Sequence, residues 1–295
     1  MTSGLHSHPE LPDGIEPPQR PPEPERSPLA AVPVWAPLAG LLMAFVAAAI
    51  AAVLIGAAIE AGGGSITEGD TPPGLLIGAT FVQDAALIAA AAFLARIWSS
   101  GVTPATFGLR PVRLGPAIGW TLLAWGVFLA ASLLYFTLVG QPEDQELTRD
   151  LNEEDSLSAL IGYAVLLAFM APLAEEIFFR GFVFGVLREK LGVAGGALVT
   201  GVVFGLVHAT GSPIETLGVL VILGVVLCLL YVQTGSILPC IALHALNNGL
   251  SFAVTKEIPA PGAIALILAC AGAAVLVAAL VTQRSPALPA APRTP

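Results

Sequence analysis

Forty consecutive residues, Thr216 to Thr255, carry no formal charge. A helix crosses the hydrocarbon core of a bilayer in about 20 residues, so this stretch holds two spans, with a break at Gln233-Thr234-Gly235-Ser236. Comparable runs recur along the chain. Charge-free stretches of 22, 27 and 26 residues lie between Pro37 and Glu60, Arg113 and Gln141, and Glu257 and Arg284. Thr71 to Ala95 is apolar except at Gln83 and Asp84, Ser156 to Leu187 continues through Glu175, Glu176 and Arg180, and the sole ionisable residue from Leu191 to Val207 and on to Pro213 is His208. The expected fold is therefore all-α, a polytopic membrane bundle of about eight transmembrane helices. Composition agrees, because only 11% of residues are charged, against about 25% in soluble domains. A net charge of −9 excludes nucleic-acid binding, which needs a basic footprint.

Five regions follow. Residues 1–34 hold nine prolines and five acids and are expected to form a disordered cytoplasmic tail without a cleavable signal. Residues 35–155 carry three transmembrane helices and an acidic outer loop, Glu143 to Asp155. Residues 156–254 form a four-helix core, 255–284 a last span, and 285–295 a second Pro-rich tail. Orientation follows from the basic residues, which favour the cytoplasmic side. With both termini cytoplasmic, nine Lys and Arg residues fall inside and two, Arg149 and Lys256, outside. The expected location is the plasma membrane, multi-pass. Cys228, Cys240 and Cys270 lie in apolar spans without metal-ligand spacing, as packing residues do.

Chemistry should sit where ionisable groups enter the membrane, since each is costly there unless paired or wet. That leaves Asp84, Glu175, Glu176, Arg180, His208 and His244. Glu176 and Arg180 are four apart and share a helical face, so they can pair; Glu175, rotated by about 100 degrees, is the carboxylate left over. Pro172 should kink the helix just ahead of the pair. His244 and Asn248 also share a face, and Phe204 precedes His208 by one turn. Taking Leu187, Ala194 and Ser236 as cytoplasmic boundaries and counting about 1.5 Å per residue places Glu175 roughly 18 Å deep, His208 roughly 21 Å, His244 roughly 12 Å and Asn248 roughly 18 Å. One polar site inside the membrane results, expected to open toward the cytoplasm. A carboxylate, two imidazoles and an amide can activate water and stabilise an oxyanion. Asp84 falls outside these motifs and is expected to face the bundle or line a cavity.

These residues resemble the CAAX proteases and bacteriocin-processing proteins, membrane-embedded endopeptidases that include the type II CAAX prenyl proteases. The family pattern of Glu-Glu-x-x-x-Arg, Phe-x-x-x-His and His-x-x-x-Asn matches Glu175, Glu176 and Arg180, then Phe204 and His208, then His244 and Asn248, in order. The resemblance covers about Ser156 to Val254.

The resemblance implies that Glu175, aided by His208, activates water, that His244 and Asn248 stabilise the oxyanion, and that Glu176 and Arg180 brace the site. A metal-dependent version would use Glu175, His208 and His244 around zinc, although no His-Glu-x-x-His element is present to supply such a site; no cofactor is favoured. The expected partner is a membrane-associated peptide or protein, lipidated or not, within the lipid bilayer. Two other classes fit parts of the pattern: a proton-coupled transporter relaying through Glu175, Glu176, His208 and Asp84, and a catalytically silent scaffold or immunity-type protein. The excess of Arg over Lys, 10 to 2, with abundant Ala, Gly and Pro, points to a GC-rich bacterial genome.

Overall fold

The computed structural model describes residues 27–66, 71–140 and 146–283. The tails expected at 1–26 and 285–295, and Glu143 and Asp144 of the acidic loop, lie outside them. The described residues fold into helices α1 (Ala36–Ala61), α2 (Pro73–Trp98), α3 (Leu114–Val139), the short α4 (Glu146–Glu153), α5 (Leu157–Leu206), α6 (Ile214–Thr234), α7 (Leu238–Thr255) and α8 (Ala260–Gln283). Five of them, α1, α2, α3, α5 and α6, are long and apolar enough to cross a membrane. The protein is a multi-pass helical membrane protein, and each run singled out above is helical.

Two of those runs are joined. The helix α5 is 50 residues long and contains a break at Gly192, whose φ of 71° and ψ of 176° are not helical. A positive φ suits glycine because it has no Cβ to clash. The chain reverses there into two arms, 157–191 and 193–206. The arms approach closely enough that a Cβ on Gly196 would lie 2.9 Å from the Arg188 nitrogen.

The first arm is not a regular α-helix. It widens into π-type turns at Leu166–Met170 and Glu176–Val183. In an α-helix the Pro172 ring would press on the carbonyl four residues earlier, and the expected kink is replaced by the widened turn just before it. Such turns re-aim the residues that follow, here the two glutamates.

The expected tail ends earlier than residue 34. Residues 28–31 form a 3-10 turn, and Leu29 and Val32 are fully buried. Leu29 sits against Gly185, where a Cβ would come within 2.5 Å of its side chain, and Lys190 donates to the Ala30 carbonyl at 2.8 Å. Two apolar residues in a polar, proline-rich stretch thus anchor it beneath the bundle.

Packing is uneven along the bundle. Toward the end bearing Arg188, the core is continuous: Phe178, Phe179, Phe182, Phe184, Phe204 and Ile241 are each at most 1% exposed. The loop after α2 closes that end. Gly108 accepts from the Ile237 nitrogen at 2.9 Å, Arg110 accepts from Ser236 Oγ at 2.6 Å, and the Phe107 carbonyl lies where a Cβ on Gly181 would be, 2.7 Å away. Toward the other end, the residues are more often partly exposed than buried.

Candidate active site

Glu176 and Arg180 lie on the first arm of α5, both fully buried, and Arg180 Nη1 donates to Glu176 Oε1 at 2.7 Å. The i to i+4 spacing makes the pair, as expected. Removing two charges from water is expensive, and further partners offset part of that cost, although Glu176 Oε2 and Arg180 Nε stay without a hydrogen bond. Arg180 Nη2 reaches the Gly224 carbonyl of α6 at 3.4 Å, and its guanidinium lies 4.5 Å from the centre of the Phe204 ring. A cation over an aromatic face is worth about 2 kcal/mol when desolvated, so Phe204 is more than filler.

The same Glu176 oxygen takes a second partner, His244 Nδ1 on α7, at 2.8 Å. With the ionised carboxylate as acceptor, that nitrogen carries the hydrogen, which fixes the ring and turns Nε2 toward Glu175, 3.9 Å from its Oε2. Glu176 therefore joins three elements, and its role exceeds the expected bracing of Arg180. The sequence gave no sign of this bond, because it depends on the register between two helices 68 residues apart.

Glu175 differs from its neighbour in exposure and in the engagement of its first oxygen. Its side chain is 16% exposed where that of Glu176 is 0%, and Glu176 Oε1 holds both Arg180 and His244. The Oε2 of each is buried without a hydrogen bond, that of Glu175 standing 3.9 Å from His244 Nε2.

His208 lies in the turn that follows the second arm, and its Nδ1 is 2.8 Å from the Phe204 carbonyl. A carbonyl only accepts, so Nδ1 donates and Nε2 keeps its lone pair. Among the described residues no ion pair within 4.0 Å joins His208 to Glu175. Phe204 stands between the two histidines, its ring 5.0 Å from that of His208 and 5.8 Å from that of His244. Asn248 Nδ2 donates to the Leu167 carbonyl at 3.1 Å, a carbonyl inside the first widened turn. Asn247, not singled out from the sequence, donates to Asn248 Oδ1 at 3.4 Å.

Asp84 is 2% exposed with Oδ2 unpartnered, so it faces the bundle as expected. Cys240 is buried and its thiol reaches the Leu227 carbonyl at 3.3 Å, which fits a packing residue.

Glu175, His208 and His244 were the candidate zinc ligands. Among the described residues no three His, Cys, Asp or Glu side chains gather as a metal-binding group, although Nε2 of each histidine is left free by the bond that its Nδ1 makes. The residues as arranged do not form a zinc site, and no step below passes through a metal.

The site was expected to open toward the cytoplasm. Between it and the end carrying Arg188 stand the buried aromatic residues and the 103–113 loop. On the other side Glu175, His208, Asn247, Asn248 and the 211–213 loop are all partly exposed. The depth count gave the level of each residue but held no information on which end was packed.

The fold and site define a multi-pass helical membrane protein with a buried Glu–Arg–His centre and one free carboxylate beside it. Residues 157–250, the stretch that holds all three motifs, match the family model for type II CAAX prenyl endopeptidase Rce1-like proteins. The Bacillus subtilis (strain 168) protein named "Putative membrane peptidase YdiL" is 28% identical over 140 residues, 46% of this chain and 55% of that protein. The chain thus spans about half the length of that relative. No solved structure gives a significant match.

Proposed function

We propose that the protein is an intramembrane endopeptidase that hydrolyses a peptide bond in a membrane-associated peptide or protein with water activated by Glu175. The observation that carries this reading is the contrast between the adjacent glutamates. Glu176 is fully buried with its Oε1 engaged by Arg180 and His244, and Glu175 is partly exposed, its Oε2 making no hydrogen bond and standing 3.9 Å from His244 Nε2.

In this reading Glu175 removes a proton from water as the water attacks the peptide carbonyl. His208 holds that water through the lone pair on Nε2, the nitrogen left free by the bond to Phe204. The oxyanion that forms is met by His244 Nε2, when that nitrogen carries a proton, and by the second N–H of the Asn248 amide, the first being committed to Leu167. Donors fixed in advance are worth most in a water-poor site. Glu175 then returns its proton to the leaving amine, which balances the step. Glu176 and Arg180 hold His244 without touching substrate.

The test is cleavage of a peptide library by the protein in liposomes, with Glu175→Ala and His208→Ala alongside. Loss in both variants is expected; cleavage unaffected by both would refute the assignment, and proton flux without cleavage would favour a transporter. Cleavage that survives complete metal removal by a chelator is the expected result for glutamate chemistry, and its loss, restored by zinc, would reverse that part.

A further inference from the structure

Asp84 is a buried ionisable side chain that the reaction at Glu175 leaves unused. On α2 it is followed by Leu87, Ala91 and Leu94, all buried, and that spacing marks one helical face. Asp84 is the charged member of the face, 2% exposed. Helix α2 packs against the first arm of α5, and close approaches set the register. A Cβ on Gly162 of the arm would lie 2.9 Å from Ile77, and a Cβ on Gly40 of α1 would lie 2.9 Å from Phe178 and 3.2 Å from Leu94. Asp84 falls between Ile77 and Leu94, so it stands beside the stretch from Gly162 to Phe178, which holds the first widened turn and Glu175. Glu175 is also the charged side chain whose field acts on Asp84.

A carboxyl group inside a span is costly without a partner. Asp84 Oδ2 makes no hydrogen bond, nor does Glu175 Oε2, and both atoms are buried. Arg180, buried among the spans, is committed to Glu176 and to the Gly224 carbonyl, and among the described residues no ion pair includes Asp84. Two carboxylates cannot serve each other, because an ionised carboxyl group only accepts. A carboxylic acid also donates, and its bond to a carboxylate is among the strong ones. The hydrogen belongs on Asp84, the drier position, 2% exposed against 16% for the Glu175 side chain, because a charge costs more there.

We propose that Asp84 is a positioning residue for Glu175: its carboxylic acid donates a hydrogen bond to Glu175 Oε2, directly or through one water, and holds the other carboxylate oxygen toward the attacking water. This rests on the endopeptidase reading and deepens it. Asp84 touches no substrate and keeps its hydrogen throughout, so the proton that Glu175 takes from water is still the one returned to the leaving amine. The acid costs stability where it sits, and what it gives is a base fixed in place before substrate arrives.

The experiment first reads the pair without substrate. Infrared spectra of the full chain in neutral detergent, isotopically labelled at its aspartate carboxyl carbons, should show an aspartic acid C=O band that is lost in Asp84→Asn. The band should move in Glu175→Gln, because a neutral amide accepts less strongly than a carboxylate. An absent band, or one that Glu175→Gln leaves in place, overturns the proposal. Cleavage is then followed in wild type, Asp84→Leu and Asp84→Asn. Leucine has no donor, so kcat should fall about 10²-fold with KM unchanged, and asparagine, whose amide N–H can donate, should recover most of that loss. The unfolding midpoint of Asp84→Leu should equal or exceed that of wild type, since a buried unpaired polar group is gone. Full cleavage by Asp84→Leu, or a midpoint that falls together with cleavage in both variants, overturns the positioning role. If wild type cleaves nothing while the band still answers to Glu175→Gln, the endopeptidase reading fails and the carboxyl pair stands.

Discussion

The half of the bundle below Glu175 and the half above it use the same apolar residues to different ends. Below, phenylalanines and close-set glycines exclude water and hold an arginine, a glutamate and a histidine in one arrangement. Above, the packed cluster is smaller, and the polar side chains keep some exposure. The contrast teaches that the lower half fixes the geometry of the buried polar centre, and that the upper half leaves Glu175, His208 and Asn248 partly exposed. Glu175 and Glu176, adjacent in sequence, fall on opposite sides of that line.

Substitutions can break or sharpen the division. Glu175→Gln should lower cleavage by about 10²–10⁴-fold while shifting unfolding stability by less than about 1 kcal/mol, since its Oε2 makes no hydrogen bond and stands 3.9 Å from His244. An equally large stability loss would erase the distinction between the glutamates. Arg180→Met should do the opposite, removing about 3–5 kcal/mol by stranding buried Glu176, read by thermal unfolding in detergent. His208→Asn, in the open half, should cost about 10²-fold in rate with an unfolding midpoint close to wild type.

Smaller effects test packing itself. A Cβ on Gly201 would lie 2.6 Å from Val225 and 2.9 Å from the Val221 carbonyl, so Gly201→Ala should cost about 1–3 kcal/mol. Gly126 of α3 has nothing within 4 Å of that position, and Gly126→Ala should range from neutral to about 1 kcal/mol stabilising. Equal melting shifts for the two glycines would show that the second arm and α6 are not tightly packed.

Much of the site was legible because charge is so scarce in the spans that Glu175, Glu176, Arg180, His208 and His244 stand out without any structure. Spacing along one helix also sufficed for the Glu176–Arg180 pair. What depended on register between helices was not legible: the Glu176–His244 bond, the Asn248–Leu167 bond, and the reach of Arg180 to Gly224. The packing of the lower half was not legible either: Phe178 and Phe182, which fill it, look in sequence like any other apolar residues of a span. The Pro172 kink was half right, since proline perturbs the helix there but does so by widening a turn.

The Gly192 reversal has an effect beyond the protein. The second arm, 193–206, has 14 residues, and at about 1.5 Å per residue it rises roughly 21 Å, short of a hydrocarbon core about 30 Å thick. Its far end, with His208, is therefore submerged below the level that neighbouring helices reach. Lipid beside this arm must thin to meet it, and the dimple so formed carries the water boundary toward His208.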